Sequence, residues 1–91
     1  MDRAVRCRAV VRGHVQGVWF RASAAREAAR LGVAGSAVNR ADGAVELVLE
    51  GPRAAVDEML RWAAIGPPNA RVSGIDVTDE DPVGLTRFEA R

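Results

Sequence analysis

The spacing of apolar residues switches along this chain between the period of a strand and the period of a helix, and the order of the switches restricts the possible folds. Between Ala4 and Arg12, apolar residues alternate mostly with arginines, which predicts a half-buried strand. The next apolar residues stand four, four and three positions apart and predict a helix with an inner stripe of Phe20, Ala24, Ala28 and Leu31. Gly32 is a typical residue at the end of such a helix.

The middle of the chain contains the same two periods again, with two strands before the helix. Residues 33–40 predict a second strand, although its centre consists of weak strand formers. Asp42 and Gly43 form a turn signal, and the alternation over residues 45–50 predicts a third strand that pairs with the second as a hairpin. A second amphipathic helix then follows Pro52, with apolar residues at Val56, Met59, Leu60 and Ala63.

Two shorter patterns complete the chain and define its fold class. Residues 70–78 predict a fourth strand with a bulge, because Val72 is out of phase with Ile75 and Val77, and residues 85–91 predict a short last strand. This order predicts an α+β fold, a ferredoxin-like βαββαβ sandwich with two helices packed on one face of an antiparallel sheet. We expect residues 1–91 to form a single domain.

The composition excludes several kinds of chemistry. All 13 basic residues are arginines, so the chain has neither a lysine for a Schiff base nor a phosphate-binding lysine of the Walker type. One cysteine, Cys7, and one histidine, His14, cannot form an intrachain disulfide or a typical structural zinc site. We therefore expect no metal and no cofactor.

Charge and hydropathy indicate the compartment and exclude two kinds of partner. A net charge of +1 provides no strong field toward nucleic acid or a membrane surface, so neither is expected as a partner. Arginines interrupt the apolar stretches of residues 1–13, unlike those of a signal peptide. No run approaches the roughly 20 apolar residues of a membrane span. We therefore expect a cytoplasmic protein.

The segment between the first strand and the first helix has features of an anion-binding loop. Unpaired N–H groups at a helix start carry partial positive charge, and the freedom of Gly13 and Gly17 lets several of them converge on one anion. The guanidinium of Arg21 could close over the same anion. Such turns are common, however, and a first-turn arginine is usually a surface residue, so spacing alone leaves both readings open. The absence of Gly-Lys-Ser/Thr excludes a nucleotide P-loop.

The residues of this loop resemble the motif of a known family. Residues 13–21, Gly-His-Val-Gln-Gly-Val-Trp-Phe-Arg, match the Gly-x-Val-Gln-Gly-Val-x-Phe-Arg motif of the acylphosphatases at all seven specified positions. The similarity extends over nearly the whole chain, through Asn39, Trp62 and residues 70–72. The resemblance implies a free-standing enzyme that hydrolyses the carboxyl–phosphate bond of acyl phosphates.

By this resemblance, two side chains and a run of backbone amides form the site. Arg21 binds the phosphate and Asn39 orients the attacking water. The phosphate-binding loop consists of Val15, Gln16, Gly17, Val18, Trp19 and Phe20. The implied partners are a small-molecule acyl phosphate and inorganic phosphate, the latter as product and inhibitor, and we expect the enzyme to be a monomer.

Beside Asn39 the sequence departs from the family pattern. The family usually has Gly-Trp-Val-Arg-Asn, whereas this chain has Ser36, Ala37 and Val38 before Asn39. The loss of a Trp-sized side chain removes packing unless another residue refills the space, and Trp19 is the candidate. We expect the departure to affect stability and catalytic efficiency more than the type of reaction.

Several alternatives stay open from the sequence. An RNA-binding module of the same fold is disfavoured because it needs aromatic residues on the sheet, and the chain has no Tyr, two Phe and two Trp. A domain that handles carbamoyl phosphate within a larger protein and an inactive phosphate binder are the other candidates. In the loop, we expect His14 to be exposed and Gln16 to act as a brace, while Trp19 either shapes the mouth of the site or packs beside it. Nothing in the sequence identifies the acyl group.

Overall fold

A computed structural model describes residues 3–91, and its elements follow the predicted order. The strands are β1 (Ala4–His14), β2 (Ala34–Asn39), β3 (Val45–Pro52), β4 (Arg71–Glu80) and β5 (Phe88–Ala90). The helices are α1 (Phe20–Leu31) and α2 (Arg53–Ala63). Met1 and Asp2, which begin the segment judged unlike a signal peptide, lie outside the described residues.

The strands form one sheet in the order β4-β1-β3-β2-β5. Neighbours among the first four are antiparallel, as predicted, but β5 runs parallel to β2, so the sheet is mixed rather than wholly antiparallel. The path of the chain explains the difference. β4 ends where Glu80 pairs with Arg6 near the start of β1, and residues 81–87 then lead to the start of β2. A strand that begins there runs in the direction of β2.

Both helices pack on one face of the sheet, and the apolar residues of that face form the core. The alternation in β1 is confirmed, because Cys7, Ala9 and Val11 are buried. The helices contribute most of their predicted stripes, namely Phe20, Ala24 and Ala28 from α1 and Val56, Met59 and Ala63 from α2. Burial, reinforced by nearby carboxylates, raises the pKa of Cys7 to about 11, so this thiol is inert at neutral pH.

Gly13 marks the point where β1 leaves the regular ladder. The register against β4 shifts between Arg12 and Gly13, which leaves Ser73 as the extra residue of the predicted bulge. Gly13 has a φ of +126°, and a Cβ there would overlap the carbonyl oxygen of Arg71. The expectation that Gly13 and His14 belong to the loop is wrong, because the bulge lets β1 continue through both residues.

The weak strand-forming run in β2 has a structural reason. Gly35 has a φ of +140°, and a Cβ there would overlap the carbonyl oxygen of Val48 on β3. Only glycine therefore allows β2 to approach β3 this closely at that position. Low strand propensity is outweighed here by pairing on both sides, with β3 and with β5.

A carboxylate holds the crossing segment against the open face of the sheet. Glu50 is only 3% exposed, and it accepts hydrogen bonds from the N–H groups of Val83 at 3.1 Å, Gly84 at 2.7 Å and Leu85 at 2.8 Å. Arg6 adds a contact at 3.4 Å. Burial alone would raise the pKa of this carboxyl, but the backbone donors and Arg6 outweigh it and hold the pKa of Glu50 below its ordinary value.

We expect Glu50→Gln to lower the free energy of unfolding by about 2 kcal/mol at neutral pH, because a neutral amide accepts weaker hydrogen bonds and leaves Arg6 without this partner. The lowered pKa means that the wild-type carboxylate stabilises the fold fully above the ordinary glutamate pKa of about 4.3. This contribution is lost as the pH falls through the lowered folded value.

Urea unfolding at about pH 7 and about pH 3 measures this effect, and the difference between wild type and variant should shrink at the lower pH. Glu58→Gln changes a glutamate on the exposed side of α2 and is the matched control. Equal stability of wild type and Glu50→Gln at neutral pH would contradict the anchoring role.

Candidate active site

The loop between β1 and α1, residues 15–19, turns its apolar side chains inward. Val15 and Val18 are buried, as is Phe20 at the start of α1. Between them, Gly17 and Trp19 have φ values of +73° and +66°, in the left-handed region. These two residues curl the loop, which glycine does without strain and tryptophan does not.

The curled loop presents free backbone donors. None of the N–H groups of residues 15–20 donates a hydrogen bond to another group within residues 3–91. They lead directly into the first turn of α1, where N–H groups have no intrahelical partner and the helix dipole adds partial positive charge. Successive free donors in such a loop form a concave site that suits an anion.

Arg21 and Asn39 reach one cavity from different elements. Arg21 lies in the first turn of α1, is half-buried, and donates a hydrogen bond from Nη1 to the backbone oxygen of Arg91. Asn39 is the exposed last residue of β2. Both line a cavity of about 380 Å³, whose other lining residues are Val15, Gly17, Trp19, Phe20, Ala22 and Ala90.

Two of the predicted loop residues do not line this cavity, and two residues that the sequence did not indicate do. Val18 is buried in the core, and Gln16 turns its side chain toward the hairpin. The additional residues are Ala22 and Ala90. Ala22 could have been found as the neighbour of Arg21 in the first turn of the helix. Ala90 could not, because its position depends on β5 lying beside β2.

Gln16 ties the loop to the hairpin that carries Asn39. Its Nε2 donates to the backbone carbonyl oxygens of Arg40 at 2.8 Å and Ala44 at 3.0 Å, on either side of the turn between β2 and β3. One side-chain amide therefore fixes the loop relative to the end of β2. This contact matches the bracing role predicted for Gln16.

The turn after Asn39 is itself held by Asp42. Its Oδ1 accepts the N–H of Ala44 at 3.1 Å, and its carboxylate lies 3.2 Å from Arg40 and 3.5 Å from Arg12. The Ala44 hydrogen bond, with smaller contributions from Arg40 and Arg12, lowers the pKa of Asp42 below its ordinary value. Asn39 therefore precedes an ordered, charged turn rather than a loose loop.

Two of the three residues that depart from the family pattern, Ser36 and Val38, lie on the face of the sheet opposite the helices. Ala37 is buried in the core on the helix side, so its neighbours Ser36 and Val38 point the other way and line a separate cavity of about 500 Å³. Trp19 is exposed and lines the first cavity. The expectation that Trp19 refills the space beside Ser36 is therefore wrong, because the sheet separates them.

The cavity contains one ionisable side chain, that of Arg21. His14 is exposed at the end of β1, as predicted, and does not line the cavity. Residues 3–91 contain no group of three or more His, Cys, Asp or Glu side chains close enough together to hold a metal ion. In the same part of the chain, none of the helices combines the length and hydropathy that a membrane crossing requires.

Comparison with known proteins points to one family at the level of sequence and of structure. The family model described as Acylphosphatase matches residues 7–90. An acylphosphatase of Anaeromyxobacter dehalogenans is 56% identical over 92 residues, which cover 100% of this chain and 99% of that relative. Acylphosphatase structures from Coxiella burnetii and Bacillus subtilis are 33% and 36% identical, with TM-scores of 0.92 and 0.91. The matches cover 97% and 96% of this chain, and 93% and 98% of those chains.

We expect Gln16→Ala to weaken the binding of inorganic phosphate roughly three- to tenfold, because the loop is no longer fixed to the hairpin. The two lost hydrogen bonds should also lower the free energy of unfolding by about 1–2 kcal/mol. Calorimetric titration with phosphate and urea unfolding measure these effects. The Gln16→Glu variant keeps the size of the side chain but removes the Nε2 donor, so its affinity for inorganic phosphate should fall at least as much. Unchanged phosphate affinity in both variants would contradict the brace.

Proposed function

The chain belongs to the acylphosphatase family, and from this premise we propose that Arg21 and the loop amides hold the phosphate while Asn39 orients the attacking water. Its reaction is the hydrolysis of an acyl phosphate, a carboxyl–phosphate mixed anhydride, to a carboxylate and inorganic phosphate. It is thus a hydrolase that acts on acid anhydrides. The observation that carries the assignment of roles is that Arg21 and Asn39, from α1 and β2, line one cavity with the loop.

Hydrolysis of an acyl phosphate requires few catalytic groups from the protein. The leaving group is a carboxylate, which is stable at neutral pH and needs no general acid to protonate it. Two tasks remain, namely to orient a water molecule for attack on phosphorus and to stabilise negative charge on the phosphoryl oxygens. Both are tasks of positioning and electrostatics, and a cavity with a single ionisable side chain suits them.

The free N–H groups of residues 15–20 and the guanidinium of Arg21 stabilise the phosphoryl oxygens. Backbone donors fixed in a curled loop need no reorganisation as charge develops in the transition state. Arg21 has five N–H donors, and its contact with the backbone oxygen of Arg91 engages only Nη1. The rest of the planar guanidinium is left to bind two phosphate oxygens at once.

Asn39 orients the water without acting as a base. Its amide offers one acceptor and two donor hydrogens, so it can position a water molecule, but it takes up no proton at neutral pH. The water oxygen bonds to phosphorus, the bond from phosphorus to the carboxyl oxygen breaks, and its electron pair leaves with the carboxylate. A phosphoryl oxygen of the substrate accepts the proton of the water, because no other group lining the cavity is a base.

The same donors bind the product, so inorganic phosphate acts as a competitive inhibitor. We extend the proposal to a monomeric enzyme, in line with the expectation from the family resemblance. A cytoplasmic location completes it, in keeping with the sequence-based expectation.

We expect Arg21→Ala to lower kcat/KM for benzoyl phosphate by about 100- to 1000-fold or more, because a main stabiliser of the phosphoryl oxygens is lost. The affinity for inorganic phosphate should fall as well. Loss of ultraviolet absorbance of benzoyl phosphate follows the reaction. Arg26→Ala, which removes an exposed arginine from the same helix, is the matched control and should remain active. Comparable activity of Arg21→Ala and Arg26→Ala would refute the role of Arg21.

We expect Asn39→Ala to lower kcat about 100-fold while inorganic phosphate binds nearly as tightly as before, because the water loses its orienting group and the phosphate keeps its donors. The same assay, combined with phosphate titration, separates the two effects. Asn69→Ala, an exposed loop asparagine, is the control. Full turnover in Asn39→Ala would show that the assigned role is incorrect.

A further inference from the structure

The side chain of Trp19 contributes little to the fold. It is 76% exposed, whereas Trp62 is half-buried and packs on Phe20 with ring centroids 5.2 Å apart. Trp19 occupies the N-cap position of α1, but its side chain makes no capping hydrogen bond. Short polar side chains suit that position better. The indole therefore serves neither the core nor the helix cap.

The backbone at Trp19 also disfavours a large side chain. Its φ of +66° is the one positive value at a non-glycine position within residues 3–91. Glycine adopts this conformation freely, whereas a bulky residue is strained in it. Strained residues of this kind cluster at functional sites, where the surrounding structure holds them in place. The backbone therefore gives no reason for an indole at this position, and the cavity that Trp19 lines is where the indole can have a role.

That cavity offers more than a phosphate site. Its volume of about 380 Å³ falls in the range of small-molecule sites and exceeds the space that one tetrahedral phosphate needs. Most of its lining surface is apolar, and the apolar residues that form it include Trp19, Phe20, Ala22 and Ala90. An acyl phosphate whose phosphate lies in the loop must place its acyl group in the remaining space.

We propose that Trp19 contacts the acyl group of the substrate and makes this enzyme select flat, apolar acyl groups over small ones. The inference rests on the phosphate site proposed above, because that site fixes where the acyl group lies. An aromatic acyl group such as benzoyl can lie against the exposed indole, as aromatic rings do in offset or tilted pairs. An acetyl group offers one methyl and gains little from the same surface.

The contact should act on binding more than on the chemical step. The acyl group leaves with the carboxylate and touches the indole equally before and during reaction, so the interaction lowers KM without raising kcat. A residue that only shaped the loop would instead change kcat and KM alike for every acyl phosphate.

Steady-state kinetics on benzoyl phosphate and acetyl phosphate test this inference with Trp19→Gly and Trp19→Phe. Glycine removes the indole and fits the left-handed backbone, so the loop keeps its shape, while phenylalanine retains an aromatic face. Because position 19 belongs to the phosphate-binding loop, the readout is the ratio between the two substrates. We expect Trp19→Gly to raise KM for benzoyl phosphate roughly tenfold more than it raises KM for acetyl phosphate. Trp19→Phe should fall between wild type and Trp19→Gly. Ile65→Ala, which trims another exposed apolar residue outside the cavity, should leave the ratio of the two substrates unchanged.

The kinetic results distinguish a selectivity role of Trp19 from a structural role in the loop. An equal loss on both substrates in Trp19→Gly would assign Trp19 to the loop structure and overturn the selectivity role. An unchanged ratio with unchanged activity would overturn it as well, while the proposed function would stand. Failure of the wild type to hydrolyse either substrate would overturn the proposed function itself, and this inference with it.

Discussion

One buried carboxylate, that of Glu50, links the open face of the sheet to the candidate active site. It binds the N–H groups of residues 83–85 and so fixes the segment that crosses from β4 to β5. The position of β5 beside β2 then places Ala90 in the wall of the cavity and the backbone oxygen of Arg91 against Arg21. The charge of Glu50 is tolerated in this buried position because three backbone N–H groups and Arg6 donate hydrogen bonds to it.

The site itself relies on backbone more than on side chains. A chain of 91 residues can form only one modest core, and the side chains of Val15, Val18 and Phe20 are used to complete it. Their inward orientation leaves the amides of the loop free for an anion. Gln16 then sets the distance between these amides and the hairpin that carries Asn39. The packing that stabilises the fold therefore also positions the groups of the candidate site.

Much of this architecture could be predicted from the sequence because it follows from local patterns. The period of apolar residues located both helices and all five strands, and the motif at residues 13–21 identified the family. Contacts between distant segments could not be predicted in this way. The parallel direction of β5, the presence of Ala90 in the cavity and the role of Glu50 all depend on where residues 81–87 cross the sheet. The extension of β1 through Gly13 likewise depends on a bulge in its neighbour.

The composition of the cavity wall has a kinetic consequence. Its residues come from the loop at 15–19, the first turn of α1, the end of β2 and the last strand, so the wall closes only when distant parts of the chain have met. Contacts between residues far apart in sequence must overcome the entropy of closing long loops, and domains rich in such contacts fold slowly. Partly folded chains that contain the loop and both helices therefore still lack one side of the site. Recovery of hydrolytic activity during refolding should mark the docking of β5 rather than the formation of the phosphate loop.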